Sequence, residues 1–328
     1  MPEAINFCNR LWNLEDDTEY EFDFSRLGTV EPFPMAYVAN ELKRFRQSKA
    51  EAKFSALNYK DHTYAAHMGF FRAFGLQFGK APGEAAGSST YIPLTRLDVK
   101  AVVGEAIDRG SHHGDVIEDK AQQIAQLLVR EKNGPAVDTL TYSIREIMRN
   151  VVEHSESPHI DYCGQYWPSR KLIEVAILDS GCGVRRGLES NPFIKMDSDR
   201  DALHLALMPG ISGKMYKGVR KRTNDVWQNS GFGLYMTSRI CRSANSFVII
   251  SNGAGLFLSE GQKKDRVTTF KGTALRLRIT ADALQDSTEM LAQYAKEGHA
   301  AAKRISGGEA LEPSAASSML SRNFRHAD

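Results

Sequence analysis

The stretch Val137–Ser155, VDTLTYSIREIMRNVVEHS, decides how this chain folds. Its apolar residues recur at the spacing of a helix that faces a core: Ile144, Ile147, Met148, Val151 and Val152. Glu146 and Asn150 lie one helical turn apart, so they share a face. An amide oxygen suits a hard cation such as Mg²⁺, and a carboxylate can polarise a nucleophile. The stretch therefore predicts a helix that carries a metal ligand and a base.

A second segment follows the run Lys171–Leu178, whose letters KLIEVAIL predict a buried strand. The strand brings Asp179 to the edge of a sheet, where its carboxylate can accept a hydrogen bond from the exocyclic amine of adenine. Gly181 and Gly183 allow the chain to turn tightly and to approach a base closely. On its own an Asp-Ser-Gly sequence is simply a turn, but after this helix and strand it predicts an adenine site.

A third segment, Ser230-Gly231-Phe232-Gly233-Leu234, precedes a predicted helix that runs through Cys241. Backbone N–H groups of a glycine turn that opens a helix form a natural phosphate cradle. The preceding region, Val184–Gln228, has weak periodicity, and a stretch of this length is typical of a functional lid. Its basic residues either cover a triphosphate or lie in a solvated loop: Lys214, Lys217, Arg220, Lys221 and Arg222. A fourth segment, Gly272-Thr273, opens the predicted strand 274–279.

The order and spacing of these four segments resemble the GHKL superfamily of ATPases, which includes gyrase, the ninety-kilodalton heat-shock chaperones, histidine kinases and mismatch-repair proteins. The resemblance spans roughly residues 117–280 and is closest to the anti-sigma-factor kinases. It implies an α/β sandwich with a mixed sheet and helices on one face. It also implies that Asn150 binds Mg²⁺, that Glu146 is the general base and that Thr273 lines the adenine pocket. His154 matches a histidine common in those kinases, although packing or a hydrogen bond explains it without chemistry.

The region Glu19–Leu94 alternates strand and helix signals. Strands are predicted at Tyr20–Phe24 and Lys53–Leu57, an edge strand at Tyr91–Leu94, and helices at Met35–Arg46 and Tyr64–Phe74. This order is similar to the STAS family of anti-sigma-factor antagonists. Those antagonists carry a phosphorylated Ser or Thr where the first helix opens, but here the helix opens with Glu31-Pro-Phe-Pro-Met-Ala36. The region is therefore expected either to bind a partner or its own ATPase, or to be a small core without chemistry.

The sequence predicts three parts: a STAS-like α/β domain over 1–100, a GHKL-type ATP-binding domain over 101–299 and a flexible tail over 300–328. A helix at Asp115–Glu131 is expected to pack within the molecule or between two subunits. His112 and His113 precede that helix in a predicted exposed turn.

Composition excludes several classes of protein. The 328 residues carry 42 basic and 40 acidic side chains, a formal charge of +2, so no nucleic acid is expected as a partner. The four cysteines form no CxxC pair, which fits a reducing compartment. No signal peptide and no run of about 20 apolar residues is evident, so we expect a cytoplasmic protein without a membrane span.

Two functions remain at this stage. The chain is either a Mg-dependent regulatory ATPase or protein kinase that transfers phosphate from ATP, or a switch that binds ATP and controls a protein partner with little or no hydrolysis. Both functions require ATP and Mg²⁺ as ligands and a protein partner in a signalling pathway. The sequence leaves open whether the chain forms a homodimer.

Overall fold

The computed structural model describes residues 1–216, 219, 227, 230–284, 287–305 and 320. Within them the helices are Pro2–Leu11 (α1), Pro32–Ser48 (α2), Thr63–His67 (α3), Phe70–Ala73 (α4), Val99–Asp108 (α5), His113–Val129 (α6), Pro135–Asn150 (α7), Gly183–Leu188 (α8), Asp199–Ala206 (α9), Gly233–Ala244 (α10) and Ser287–Ile305 (α11). The strands are Glu19–Asp23 (β1), Lys53–Leu57 (β2), Tyr91–Asp98 (β3), His159–Trp167 (β4), Leu172–Asp179 (β5), Asn245–Ser251 (β6), Ala254–Ser259 (β7), Gln262–Val267 (β8) and Thr273–Thr280 (β9). The predicted α/β class is confirmed.

A seven-stranded sheet in the order β3-β4-β5-β9-β6-β7-β8 forms the centre of the fold. Every neighbouring pair in it is antiparallel, so the predicted mixed sheet is wrong. The reason is the connectivity. A single 3₁₀ turn, Pro168–Arg170, joins β4 to β5, and short turns also join β6 to β7 and β7 to β8. Hairpins of this kind produce antiparallel pairs.

Both faces of this sheet are covered, which corrects the prediction of helices on one face. On β5, Ile173, Val175 and Ile177 face a core that they share with α6, α7 and α10. Ala176 and Leu178 point the opposite way, into a second core that contains α2. Because neither face of β5 meets solvent, the strand is apolar almost throughout rather than alternating, as its sequence predicted.

The first strands form a separate two-stranded sheet in which β1 and β2 run parallel. They are joined by α2, as a parallel pair requires a crossover connection. The predicted strands at Tyr20–Phe24 and Lys53–Leu57 are therefore confirmed, as is the helix between them. The predicted edge strand is confirmed as β3, but it pairs with β4 in the large sheet. The domain boundary at residue 100 stays a prediction.

Helix α2 is fixed to the large sheet by a buried group of charges. Glu174 on β5 is fully buried, and its Oε1 accepts a hydrogen bond from the Phe33 N–H at 3.1 Å, in the first turn of α2. Its Oε2 accepts from Arg276 Nη2 at 2.8 Å, and the Arg278 Nε lies 3.7 Å away. Glu31, the N-cap residue of α2, pairs with the same two arginines. The start of α2, where the resembled antagonists place a phosphoacceptor, is thus packed against the sheet.

Three predicted segments differ from the structure. The helix predicted over Tyr64–Phe74 is two short helices, α3 and α4, because Gly69 between them has a φ of +90°, a left-handed conformation that interrupts a helix. The predicted lid contains α8 and α9, and Ser198 caps α9 by accepting the Asp201 N–H. The predicted tail begins inside α11, which continues to Ile305.

Two helix predictions are confirmed. The apolar stripe of α6 is buried against α7 in the main core, so this helix packs within the molecule. The predicted helix Val137–Ser155 is observed as α7 followed by a π-helical turn, Val151–Ser155; such turns are frequent at functional sites. His112 caps α6 instead of lying in an exposed turn, since its Nδ1 accepts the Gly114 N–H at 3.0 Å. Across the described ranges no helix has both the length and the apolar character needed to cross a bilayer.

Candidate functional site

One cavity lies where α7, the end of β5, the start of β9 and the N-terminus of α10 meet. Residues of α8 and residues 211–213 also line it. It encloses about 980 Å³ of empty space, part of which is open to solvent. Concave sites with a few converging polar groups are where small ligands bind most often, so this cavity is the candidate site.

Eight of the twelve site residues predicted from the sequence line this cavity: Glu146, Asn150, Asp179, Gly183, Gly231, Gly233, Leu234 and Thr273. They come from four separate parts of the chain, and the fold brings them together. The convergence follows from the sheet, because β5 and β9 are neighbours and pair Asp179 directly with Thr273.

The other four predicted residues do not line the cavity. Gly181 supports it, because its N–H donates to Asp179 Oδ1 at 2.8 Å. Phe232 is fully buried in the main core, and Ser230 is 5% exposed. Lys214 is exposed, and its Nζ donates to the Glu153 carbonyl at 2.6 Å. The other predicted lid cations lie outside the described residues: Lys217, Arg220, Lys221 and Arg222.

Asp179 is a buried acid of the cavity whose pKa is raised. It is 4% exposed, and burial raises its pKa to about 6, although hydrogen bonds from Gly181 and Thr273 act in the opposite direction. Burial disfavours the charged form of a carboxyl group. A ligand that donates a hydrogen bond into the cavity would stabilise the ionised carboxylate, so Asp179 is suited to recognise an N–H group.

Glu146 lies between two arginines. Its Oε1 accepts hydrogen bonds from Arg145, through Nη2 at 2.9 Å and Nε at 3.2 Å, and Arg149 Nη1 is 3.5 Å away. Arg145 is fully buried and also donates to Glu118 of α6 at 2.6 Å. These contacts fix the Glu146 side chain at the wall of the cavity.

The charged side chains around Glu146 continue into the π-helical turn, which carries Glu153 and His154. Arg149 Nε donates to Glu153 Oε1 at 2.8 Å. Burial raises the pKa of Glu153, but His113 and Arg149 outweigh it and lower that pKa to about 2. Burial and the charge of Lys214 lower the pKa of His154 to about 4. At neutral pH the cavity wall thus carries an ionised glutamate and a neutral histidine, which agrees with packing rather than acid–base chemistry for His154.

Gly233, the first residue of α10, lies against the predicted base. A Cβ at this position would overlap Oε2, Cδ and Cγ of Glu146. The glutamate has little freedom to move aside because Arg145 and Arg149 hold its other oxygen. Glycine here lets the N-terminus of α10 approach the carboxylate closely.

We expect Gly233→Ala to lower the free energy of unfolding by about 1–3 kcal/mol, the usual cost of overpacking a buried site. Gly104→Ala is the matched control, because a Cβ at Gly104 in α5 meets nothing within 4 Å. That substitution is expected to be neutral or to stabilise by up to about 1 kcal/mol. Urea denaturation of the three proteins measures the difference, and equal effects of the two substitutions would contradict the contact.

Sequence reasoning did not identify several residues that build the site. Asn252, with a φ of +43°, joins two of the loops, since its Nδ2 donates to the Cys182 carbonyl at 2.8 Å and its Oδ1 accepts the Gly272 N–H at 2.9 Å. The Asn252-Gly253 dipeptide is a hairpin signal that could have indicated this turn. Trp227 is 6% exposed, and its carbonyl accepts from Arg149 Nη2 at 2.7 Å.

Within the described ranges, no group of three His, Cys, Asp or Glu side chains could hold a metal ion. Asn150 lines the cavity one turn after Glu146, and it can supply one oxygen ligand. Mg²⁺ characteristically takes only one or two protein ligands and completes its shell with phosphate oxygens and water. This single amide therefore suits an ion that arrives with a nucleotide and does not suit a resident metal.

A scan of protein-family models finds no match to this chain, and a search of curated proteins likewise finds none.

Proposed function

We propose that this chain binds ATP together with Mg²⁺ in the cavity between α7 and α10, as a regulatory protein of the histidine kinase-like ATPase type. The observation that carries the proposal is the convergence of Asp179, Asn150, Glu146 and the glycine turn before α10 on one cavity. These are four different chemical functions from three parts of the chain, and ATP with its metal is a ligand that uses all of them.

The adenine would lie against the β5–β9 edge. Asp179 would accept its exocyclic amine, and Thr273, which pairs with Asp179 across the two strands, would contact the same ring. A charge-assisted hydrogen bond of this kind contributes about 1.5–3 kcal/mol. The raised pKa of Asp179 supports this role, because the buried carboxyl group has a donor to gain when the ligand arrives.

The phosphates would lie at the start of α10. This helix has 12 residues and no side-chain cap at its N-terminus, so its first N–H groups are available to an anion. Gly231 and Gly233 line the same end of the cavity. Asn150 would hold Mg²⁺, which would neutralise part of the phosphate charge beside Glu146.

A second candidate function is an ATP-gated switch with slow or no hydrolysis, and one observation favours it. Oε1 of Glu146 already accepts hydrogen bonds from Arg145, with Arg149 beside it, so this oxygen is engaged within the protein and is less free to meet a nucleophile. A general base must reach the nucleophile and bind its proton. In either function the N-terminal region would contact a protein partner, as the resemblance to STAS domains implies, and so make that contact depend on the nucleotide.

Isothermal titration with Mg-ATP tests the proposal. We expect Asn150→Ala to weaken binding about tenfold, or about 1.4 kcal/mol, when Mg²⁺ is present, because one metal ligand is lost. With EDTA the variant and the wild type should bind ATP equally. Asn13→Ala, at an exposed position after α1, is the control and should leave both affinities unchanged. Absence of Mg-ATP binding to the wild type would refute the proposal.

Phosphate release from the same samples separates the two candidates. Release by the wild type that Glu146→Gln abolishes supports a phosphoryl-transfer enzyme. Tight ATP binding with no released phosphate and no labelled protein after incubation with γ-labelled ATP supports the switch.

A further inference from the structure

A second depression, far in sequence from the ATP site, lies in the N-terminal region between α2, β2, α4 and β3. Four of the twelve residues that line it are basic, namely Lys43, Arg46, Arg72 and Arg96. None of the twelve is acidic. We call this feature the basic groove. It lies outside the part of the chain that the proposed ATP site uses.

Salt bridges inside the molecule compensate only two of these four charges. Arg72 pairs with Glu84 at 3.3 Å, and Arg96 pairs with Asp161 at 2.7 Å. Four cations less two carboxylates leave two positive charges, on Lys43 and Arg46. No salt bridge of either residue is present among the described residues.

Arg46 is held in place for an incoming anion. Its Nη1 donates to the Phe74 carbonyl at 2.5 Å, and its guanidinium carbon lies 5.2 Å from the centroid of the Phe54 ring. Arginine has five N–H donors, so this anchoring leaves others for a ligand. A cation that is already ordered loses less entropy on binding than a mobile one.

Lys43 is one helical turn from Arg46 on α2, on the same face. Burial lowers the pKa of Lys43 and the neighbouring charge of Arg96 lowers it further, while the carboxylate of Asp161 acts in the opposite direction. A half-buried amine beside another cation is unfavourable in the free protein. An anion bound between them would relieve this repulsion.

We propose that the basic groove binds a phosphate monoester with a small apolar body. A phosphate monoester carries a charge of about −1.5 to −2 at neutral pH, which matches the two uncompensated charges better than a single carboxylate does. Phe54, which is partly exposed, also lines the groove, so it offers an apolar surface for the body of the ester. Arg46 joins the two features, because its guanidinium group carries one of the charges and lies over the Phe54 ring.

Calorimetric titration of the full chain with phenyl phosphate tests the proposal. We expect phenyl phosphate to bind to the wild type. O-phosphoserine and inorganic phosphate, which lack the apolar body, should bind more weakly, and phenol, which lacks the phosphate, should not bind. Lys43→Gln should weaken the binding of phenyl phosphate about tenfold. Among the described residues Lys43 makes no salt bridge, so this variant should fold normally. Lys100→Gln, at an exposed position on α5, is the charge-matched control and should bind like the wild type.

Two outcomes would overturn the proposal. One is equal affinity of the wild type and Lys43→Gln for phenyl phosphate, or no binding by the wild type. The other is loss of phenyl phosphate binding when Mg-ATP is saturating or when Asp179 is replaced by asparagine, which would place the probe in the other cavity. Persistence of binding in a protein that fails to bind ATP would support the groove and refute only the nucleotide site.

Discussion

Replacing Glu174 with alanine is expected to lower the free energy of unfolding by about 3–5 kcal/mol, the usual cost of breaking a buried ion pair by removing one partner. The carboxylate is fully buried, and it accepts from Arg276 at 2.8 Å and from the Phe33 N–H at 3.1 Å. Without it, a guanidinium that is 7% exposed loses its closest partner. The first turn of α2 also loses the acceptor that favours its positive end.

Two further variants show whether the charge or the hydrogen bond dominates. Glu174→Gln keeps an acceptor for the Phe33 N–H but takes away the negative charge that faces Arg276. Its free energy of unfolding should therefore lie between those of Glu174→Ala and the wild type. Glu31→Gln is the control, because Glu31 is partly exposed and pairs with the same arginines at 3.5 and 3.2 Å. Pairs near the surface contribute about 0–1 kcal/mol. Urea unfolding measures all three, and a Glu174→Ala effect under 1 kcal/mol would contradict this account.

This cluster illustrates what the sequence could not predict. Glu174 interrupts the apolar run of β5, but its partner Arg276 is 102 residues away in the chain. No local pattern connects the two, and only the pairing of β5 with β9 brings them together. The same dependence on long-range pairing explains why the predicted mixed sheet was wrong. Strand direction is set by connections along the chain that local periodicity does not encode.

Local features were predicted well where local physics decides them. The apolar spacing of α7 follows from helix geometry, and the burial of β5 follows from a continuous apolar run. The splitting of the helix at Gly69 and the cap of α9 at Ser198 were missed, although both have short signals. Within the site, Glu146 was predicted on the correct face. Its arginine partners were missed because a charged side chain on a helix is usually assumed to face solvent.

Replacing Asp179 with asparagine is expected to stabilise the protein near pH 7.5 while it weakens nucleotide binding. The folded pKa of this group, about 6, is above its ordinary value of 3.8. The folded state therefore binds the proton more tightly than the unfolded state does. The resulting stabilisation is complete below about pH 4 and is lost as the pH rises through 6. A shift of about 2 pH units corresponds to about 3 kcal/mol, and asparagine, which has no charge to bury, avoids this loss.

The unfolding free energy of the wild type and of Asp179→Asn should be measured from pH 4 to 8. Their difference isolates Asp179, because Glu153, His154 and the other titrating groups are common to both proteins. We expect the variant to gain up to about 3 kcal/mol at pH 8 and to lose this advantage at pH 4. Asp108→Asn, at an exposed position on α5, is the control for the substitution itself. A constant difference at every pH would contradict the effect of burial.

The same variant should bind Mg-ATP about 10- to 100-fold more weakly, as expected when a charge-assisted hydrogen bond of about 1.5–3 kcal/mol is lost. A protein that becomes more stable and yet binds less tightly cannot owe its lost affinity to misfolding. The pair of measurements therefore separates a recognition role from a structural one. If Asp179→Asn were more stable at pH 8 but bound Mg-ATP as tightly as the wild type, burial of the carboxylate would be confirmed and its contact with adenine refuted.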